Sequence, residues 1–216
     1  MTGAPGLYII TDRHATGGRP LTDVVASALA GATPAIKAGA RVAVQLREKD
    51  LPAADLLKLA RALRTLTADA GAGFYVNDRL DVALAVGADG VHLGRRSLGP
   101  ADVRLVAPNL RVAISVHNQT EIQDALRDGN VAFAVFGPVY PTPGRGKAPP
   151  TGVEGDHGLR AACRIGLPLL ALGGVGPGQV PECRAAGAAG VACIRAVMIA
   201  ADPSNVVRDF MICTEF

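Results

Sequence analysis

No tryptophan occurs among the 216 residues, and tyrosine and phenylalanine together account for only eight positions, three and five respectively. With hydrophobic residues nonetheless at 49%, the core must be filled by Ala, Val, Leu and Ile, which suit parallel strands covered on both faces. Cysteine is scarce and lopsided. Cys163, Cys183, Cys193 and Cys213 all fall in the last quarter, with neither a CxxC pair nor a histidine at metal-ligand spacing, so they read as reduced packing residues. No stretch of 18 apolar residues runs free of charge, which argues against a membrane span. The opening MTGAPGLYII lacks a basic stretch followed by a long apolar segment, so a cytoplasmic protein is expected. A run of basic residues is missing too, and the net charge is only +3, so neither nucleic acid nor an anionic membrane is an expected partner. Local pairs such as Arg95 with Arg96 and Arg145 with Lys147 still suit a small anion, because a pocket responds to nearby charge. Finally, no GxGxxG opens the first helical stretch, which weakens a dinucleotide-binding reading.

What the chain does have is punctuation. Its 26 glycines and 15 prolines break it into eight rounds of a short apolar segment and an Ala- and Leu-rich stretch, without a linker between them. The expected strands are 7–11, 42–47, 73–77, 90–93, 112–116, 133–136, 169–172 and 191–194. Between them, Leu21, Val24, Val25, Ala28 and Leu29 recur at i, i+3, i+4, i+7 and i+8, which predicts an amphipathic helix over 21–37. Further helices are marked by Leu56 to Leu63, by a short 78–86 segment, and by 101–105, 120–126 and 180–186. Where helices should end, a weak echo recurs: AGA at 38–40, GAD at 87–89, DGN at 128–130 and AGA at 186–188. A glycine there supplies the left-handed residue that stops a helix and returns the chain to the next strand. Such α/β alternation closes into a barrel or opens into a doubly wound sheet. Polar residues cluster at the C-terminal ends of many different strands, as a barrel's active face requires. The expectation is therefore a single (β/α)8 TIM barrel occupying 1–216.

Seven segments carry a more specific likeness: GLYIITD at 6–12, QLREKD at 45–50, YVNDRLDVALAVGADGVHLG at 75–94, ISVHN at 114–118, FGPVYPT at 136–142, LPLLALGGV at 167–175 and AGAAGVACI at 186–194. In order and nearly end to end, the chain resembles the thiamine phosphate synthase and thiazole tautomerase (TenI) family. That resemblance implies the same barrel, and a phosphorylated thiazole as substrate, with a pyrimidine diphosphate as co-substrate for the synthase. Gln45, Arg47 and Lys49 alternate along the end of the second strand and so point to one side. The resemblance assigns them to the pyrimidine diphosphate; the alternative is that Arg47, Glu48 and Lys49 are solvated loop charges.

Asn77 and Asp78 close the third strand. The matching Asp of the synthase helps hold Mg2+, whereas the plain alternative is an Asp capping the third helix. The synthase's second acidic ligand belongs to a GQxD pattern after strand four, where this chain reads Gly94, Arg95, Arg96, Ser97. The acid is missing, and two guanidinium groups favour an anion there. This stretch looks closer to the TenI branch, whose pattern is LGxRS after an NDR segment. His117 ends strand five, with Ser115 one alternation below it; the resemblance implies that such a histidine shuttles a proton in the tautomerase. In the loop from Gly137 to Lys147, Thr142 and Lys147 are candidates for the diphosphate, and the Gly- and Pro-rich composition suggests a mobile lid. Gly173 and Gly174 after strand seven, with Ile194 and Arg195 after strand eight, would offer backbone N–H groups to the thiazole phosphate.

Three functions fit these residues. A thiazole tautomerase needs no cofactor: the phosphate is anchored by the last two loops, His117 moves the proton, and Arg96 or Arg47 meets the substrate carboxylate. A thiamine phosphate synthase needs Mg2+; for it the chain retains Gln45, Arg47, Lys49, Asn77, Asp78 and Thr142, but lacks the second acid, with Ser97 in its place, and has Gly144 and Arg145 where the resemblance implies a second hydroxyl and the following cation. A degenerate barrel would bind thiazole or thiamine phosphate as a regulator. The tautomerase is the leading expectation. A homodimer is compatible with the sequence, although no isolated apolar stripe demands one.

Overall fold

The computed structural model describes residues 3–142 and 150–213. Eight strands alternate with helices: β1 (Leu7–Ile10), α1 (Leu21–Lys37), β2 (Val42–Leu46), α2 (Ala53–Ala70), β3 (Gly73–Asn77), α3 (Leu80–Ala85), β4 (Gly90–Leu93) and α4 (Pro100–Val106). There follow β5 (Arg111–Val116), α5 (Gln119–Asp128), β6 (Phe133–Phe136), α6 (Leu159–Cys163), β7 (Leu169–Ala171), α7 (Val180–Ala185), β8 (Gly190–Cys193), α8 (Arg195–Met198) and α9 (Pro203–Cys213). The strands pair in parallel in chain order, and β8 pairs with β1, so the sheet closes on itself. The expected barrel is what forms.

Alternation along the strands divides the apolar residues into two cores. Outward-facing Leu7, Ile9, Val42, Val44, Phe74, Val76 and their counterparts pack under the helices, against Val24, Val25, Ala28 and Leu29 of α1 among others. The inward set is smaller and holds three aromatics, Tyr8, Tyr75 and Phe133, with Ala43, Ala113, Leu170 and Ala192. The three rings meet edge to face with centroids 5.4–5.5 Å apart, the arrangement their quadrupoles favour. Gly90 makes this cluster fit, since a Cβ there would lie 2.3 Å from the Tyr75 ring. These three rings plug the lower barrel and leave the level above to polar side chains.

All four echo glycines do stop helices or turn the chain: Gly39, Gly87, Gly129 and Gly187 have φ of 102°, 61°, 72° and 97°. Helix α1 matches its expected span to the residue. Helix α3 starts later than expected, at Leu80, because Asp78 takes a left-handed φ of 65° and Arg79 becomes the residue before the helix. The reading of Asp78 as a cap is thereby corrected. Helices α6 and α8 span five and four residues, too short to show a period in sequence. Helix α9 packs on α1 so closely that a Cβ on Gly31 would lie 2.1 Å from the Ser204 carbonyl oxygen. Among the described residues, no helix is long and apolar enough to cross a membrane.

Candidate functional site

Above the aromatic plug, strands β2 to β5 each send one polar side chain inward: Gln45, Asn77, His92 and Ser115. Gln45 is buried and its Nε2 donates to Asn77 Oδ1 at 3.1 Å. Its Oε1 is buried with no hydrogen-bond partner among the described residues. His92 is also buried, stacked beside Tyr8, with Nε2 2.9 Å from Ser115 Oγ and Nδ1 3.5 Å from the Tyr8 hydroxyl. Burial pushes the imidazole pKa down to about 3, and the charges of Arg47 and Lys49 push the same way. The ring is therefore neutral at physiological pH. Only one tautomer satisfies the buried phenol's hydrogen: Tyr8 donates to Nδ1, Nε2–H donates to Ser115 Oγ, and the serine hydroxyl hydrogen is left for the mouth of the barrel. The floor thus presents one acceptor, Gln45 Oε1, and one donor, Ser115.

The rim over β1 and β2 is tied down by a carboxylate. Glu48 is only 5% exposed. It accepts from the Thr11 hydroxyl at 2.7 Å, from the Arg13 backbone N–H at 3.1 Å and 3.2 Å, and from Arg13 Nη1 at 3.2 Å. Thr11 Oγ1 in turn accepts from the Arg47 N–H at 2.9 Å. Arg13 and His14 clasp Asp50, whose pKa falls well below the usual carboxylate range, through the Arg13 hydrogen bonds first and the His14 contact second. So the reading of Arg47, Glu48 and Lys49 as solvated charges fails for Glu48, which fixes the backbone that carries its two basic neighbours.

Beside the floor, and joined to it by Asn77, lies a cavity of about 410 Å³ whose wall includes Glu48, Lys49, Asp78, Arg79, Arg95, Arg96 and Ser97. Arg79 is engaged by Asp81 at 2.9 Å. Arg95 and Arg96 are exposed and make no hydrogen bond or ion pair within the described part of the chain. Ser97 Oγ accepts the Gly94 N–H at 2.8 Å and closes the turn after β4. An Mg2+ ion would find one uncommitted carboxylate here, Asp78, because Glu48 is bound by Thr11 and Arg13. Among the described residues, no group of three or more His, Cys, Asp or Glu side chains could hold a metal. The donor set does not fit a protein-held divalent cation. A second depression, about 460 Å³, lies outside the rim, but its Arg13, His14 and Arg19 are all engaged with protein oxygens.

His117 stands at the rim over β5. Its backbone N–H donates to Glu121 Oε2 at 2.8 Å, and its Nδ1 lies 3.2 Å from the same oxygen. A carboxylate there orients the imidazole and leaves Nε2 outward, the arrangement of a base with its orienting partner. On the opposite side, Thr142 donates its hydroxyl to the Tyr140 carbonyl at 3.3 Å. Gly144, Arg145 and Lys147 lie outside the described residues. Gly173 and Gly174 have φ of 99° and 64°. A Cβ on Gly173 would sit 2.7 Å from Pro138 Cα, and one on Gly174 2.6 Å from the Pro141 carbonyl oxygen. Close packing against the loop after β6 therefore demands both glycines whatever they bind. Their N–H groups have no acceptor among the described residues. Ile194 precedes the single turn of α8, and Arg195 is exposed at its start.

Sequence reasoning named eight of the residues that gather here around the β2 to β5 strand ends: Gln45, Arg47, Lys49, Asn77, Asp78, Arg96, Ser115 and His117. It passed over His92, although inward alternation from Gly90 places it, and Tyr8, and it read Glu48 as a loop charge, since the roles of Tyr8 and Glu48 depend on partners 84 and 37 residues away.

Comparison with known proteins adds the following. Residues 7–197 match the family described as thiamine monophosphate synthase. The chain is 47% identical over 204 residues to a putative thiamine-phosphate synthase of Geobacter sulfurreducens, covering 94% of this chain and 91% of that protein. It is 43% identical over 204 residues to a thiamine-phosphate synthase of Moorella thermoacetica, covering 94% and 92%. Among solved structures, thiamine phosphate pyrophosphorylase from Pyrococcus furiosus superposes with a TM-score of 0.83 at 35% identity, over 97% of this chain and 95% of that one.

Proposed function

The chain belongs to the thiamine monophosphate synthase family, and we propose that it couples a hydroxymethylpyrimidine diphosphate to a thiazole phosphate, forming thiamine phosphate. The names of its relatives favour this coupling over the tautomerisation that the Arg96–Ser97 pattern suggested. The observation that carries the reading is the unpartnered Gln45 Oε1. A buried acceptor without a donor costs roughly 1–3 kcal/mol, so a ligand N–H belongs opposite it. An aminopyrimidine offers that N–H and a ring-nitrogen acceptor along one edge, matching Gln45 Oε1 and the Ser115 hydroxyl. Neither thiazole tautomer has an N–H to give.

In this reading the floor orients the pyrimidine ring while the basic rim faces its diphosphate. The bond between the exocyclic carbon and the diphosphate oxygen breaks, and the electron pair leaves with the pyrophosphate. Lys49 and its neighbours stabilise the charge that develops on the departing oxygens. The thiazole nitrogen then attacks the carbon, held there by its phosphate on the backbone N–H groups of Gly173, Gly174 and the start of α8. A neutral His92 serves this better than a charged one, since a second cation below the ring would oppose the developing carbocation.

Two features favour a second reading: His117 is oriented by Glu121 as a base would be, and Ser97 stands where the resemblance implies an acid in the synthase. Both are accommodated by thiazole tautomerisation. The test incubates the protein with the pyrimidine diphosphate, the thiazole phosphate and Mg2+, following thiamine phosphate, and treats the non-aromatic thiazole separately. Product formation at ordinary enzyme rates establishes coupling. Tautomerisation alone, lost in His117→Ala, would replace it with the second reading; binding without turnover would make the protein a regulator.

A further inference from the structure

The lack of fit between the cavity and a protein-held metal has its own meaning. Where a second acid would complete a cation site, the chain puts Arg95 and Arg96, and the hydroxyl of Ser97 is spent on the Gly94 N–H. Lys49 adds a third cation to the same wall, where Arg79 is paired with Asp81 and the carboxylate of Glu48 is held by Thr11 and Arg13. The positive potential is felt beyond the rim, since Arg47 and Lys49 both act on His92 below. Guanidinium groups suit this task, because a planar fork of donors matches phosphate oxygens two at a time and cannot lose its charge. Bringing a divalent cation into this wall would set it against Arg95, Arg96 and Lys49, with one uncommitted carboxylate to hold it.

We propose that this cavity is a diphosphate site in which Arg95 and Arg96 hold the anion directly, in place of a protein-bound metal. The choice of a diphosphate, among multiply charged anions, rests on the coupling reading above. The cavity has the room: about 410 Å³ accommodates a pyrophosphate with some of its water. The β4 turn is the element that decides the matter. It carries both arginines, and Ser97 shapes it by accepting the Gly94 N–H, a bond that a carboxylate oxygen could equally accept.

Inorganic pyrophosphate is the probe, titrated calorimetrically into the full chain in EDTA and again with Mg2+. The expected result is binding in EDTA within about threefold of that with Mg2+, weakened roughly tenfold or more in Arg95→Ala/Arg96→Ala. Both residues are exposed, so the double variant should unfold at the wild-type temperature, which a thermal melt checks. Ser97→Asp should keep the turn yet make pyrophosphate binding depend on Mg2+. Binding seen only with Mg2+, or unchanged affinity of the double variant in EDTA, overturns the proposal. The product assay separates this from the coupling reading. Metal-independent pyrophosphate binding without thiamine phosphate formation would sink the coupling reading and keep the site, whereas product formation without binding in EDTA would do the reverse.

Discussion

The two sides of the barrel mouth are made of different materials. From β2 to β5 the rim and floor are side chains: Gln45, Arg47, Lys49, Asn77, His92, Arg96, Ser115 and His117. Among the described residues, from β6 to β8 they are mostly backbone, with Gly173 and Gly174 wedged against the β6 loop and one turn of helix at Arg195. The side-chain half can change its chemistry without disturbing the barrel, because most of its charges are at the surface. The backbone half cannot, because its geometry is also its packing. The β4 turn that carries Arg95, Arg96 and Ser97 lies on the side-chain half.

This contrast can be broken most forcefully at the glycines. Gly174→Ala combines a left-handed φ with a Cβ 2.6 Å from a carbonyl oxygen, so urea unfolding should show a loss of roughly 3 kcal/mol. Gly94→Ala on the other half meets nothing nearer than Ser97 Oγ at 3.9 Å and should cost less than about 1 kcal/mol. Equal losses would erase the distinction.

The next effect concerns pH. His92 has a folded pKa of about 3, below the ordinary value of 6.5. Above pH 6.5 the ring is neutral folded and unfolded. As pH falls from there towards 3 the unfolded chain takes up the proton first, so stability is lost across that window. Between pH 7 and 5 the loss should reach about 2 kcal/mol, and His92→Gln should abolish that slope. A slope that survives the substitution would show that another group titrates.

Gln45→Leu tests the floor. It should raise the KM for the pyrimidine diphosphate roughly tenfold to thirtyfold, leave the KM for the thiazole phosphate near wild type, and hardly move the thermal midpoint. If both constants rise together, Gln45 acts through the fold and not through one substrate. The smallest effect is expected at Asp50→Asn. The clasp with Arg13 and His14 is exposed and should contribute little, fading in high salt. A larger, salt-insensitive loss would place Asp50 with Glu48 among the residues that build the rim.

Much of this was legible in the residue pattern. The helix over Leu21–Lys37, the eight strands to within a residue or so, and the four helix-stopping glycines follow from period and turn chemistry, which are local. Period-two alternation likewise aims Gln45 and Ser115 at the same interior. What escaped depends on distant partners. Glu48 looks like a loop charge until Thr11 and Arg13 are folded against it, and His92 looks like one more strand residue until Tyr8 and Ser115 fix its tautomer. Asp78 reads as a helix cap in sequence, yet its left-handed backbone takes it out of that role.

By itself the sequence determined the barrel, through its alternating rounds and branched core, and the family, through seven motifs in order. It also supplied the arginines of the β4 turn. Tertiary structure alone decided which polar groups would be left without a partner. Hydrogen-bond satisfaction is a property of the closed barrel, where Asn77 meets one end of Gln45 and no described residue meets the other, and no period within a single strand carries that information.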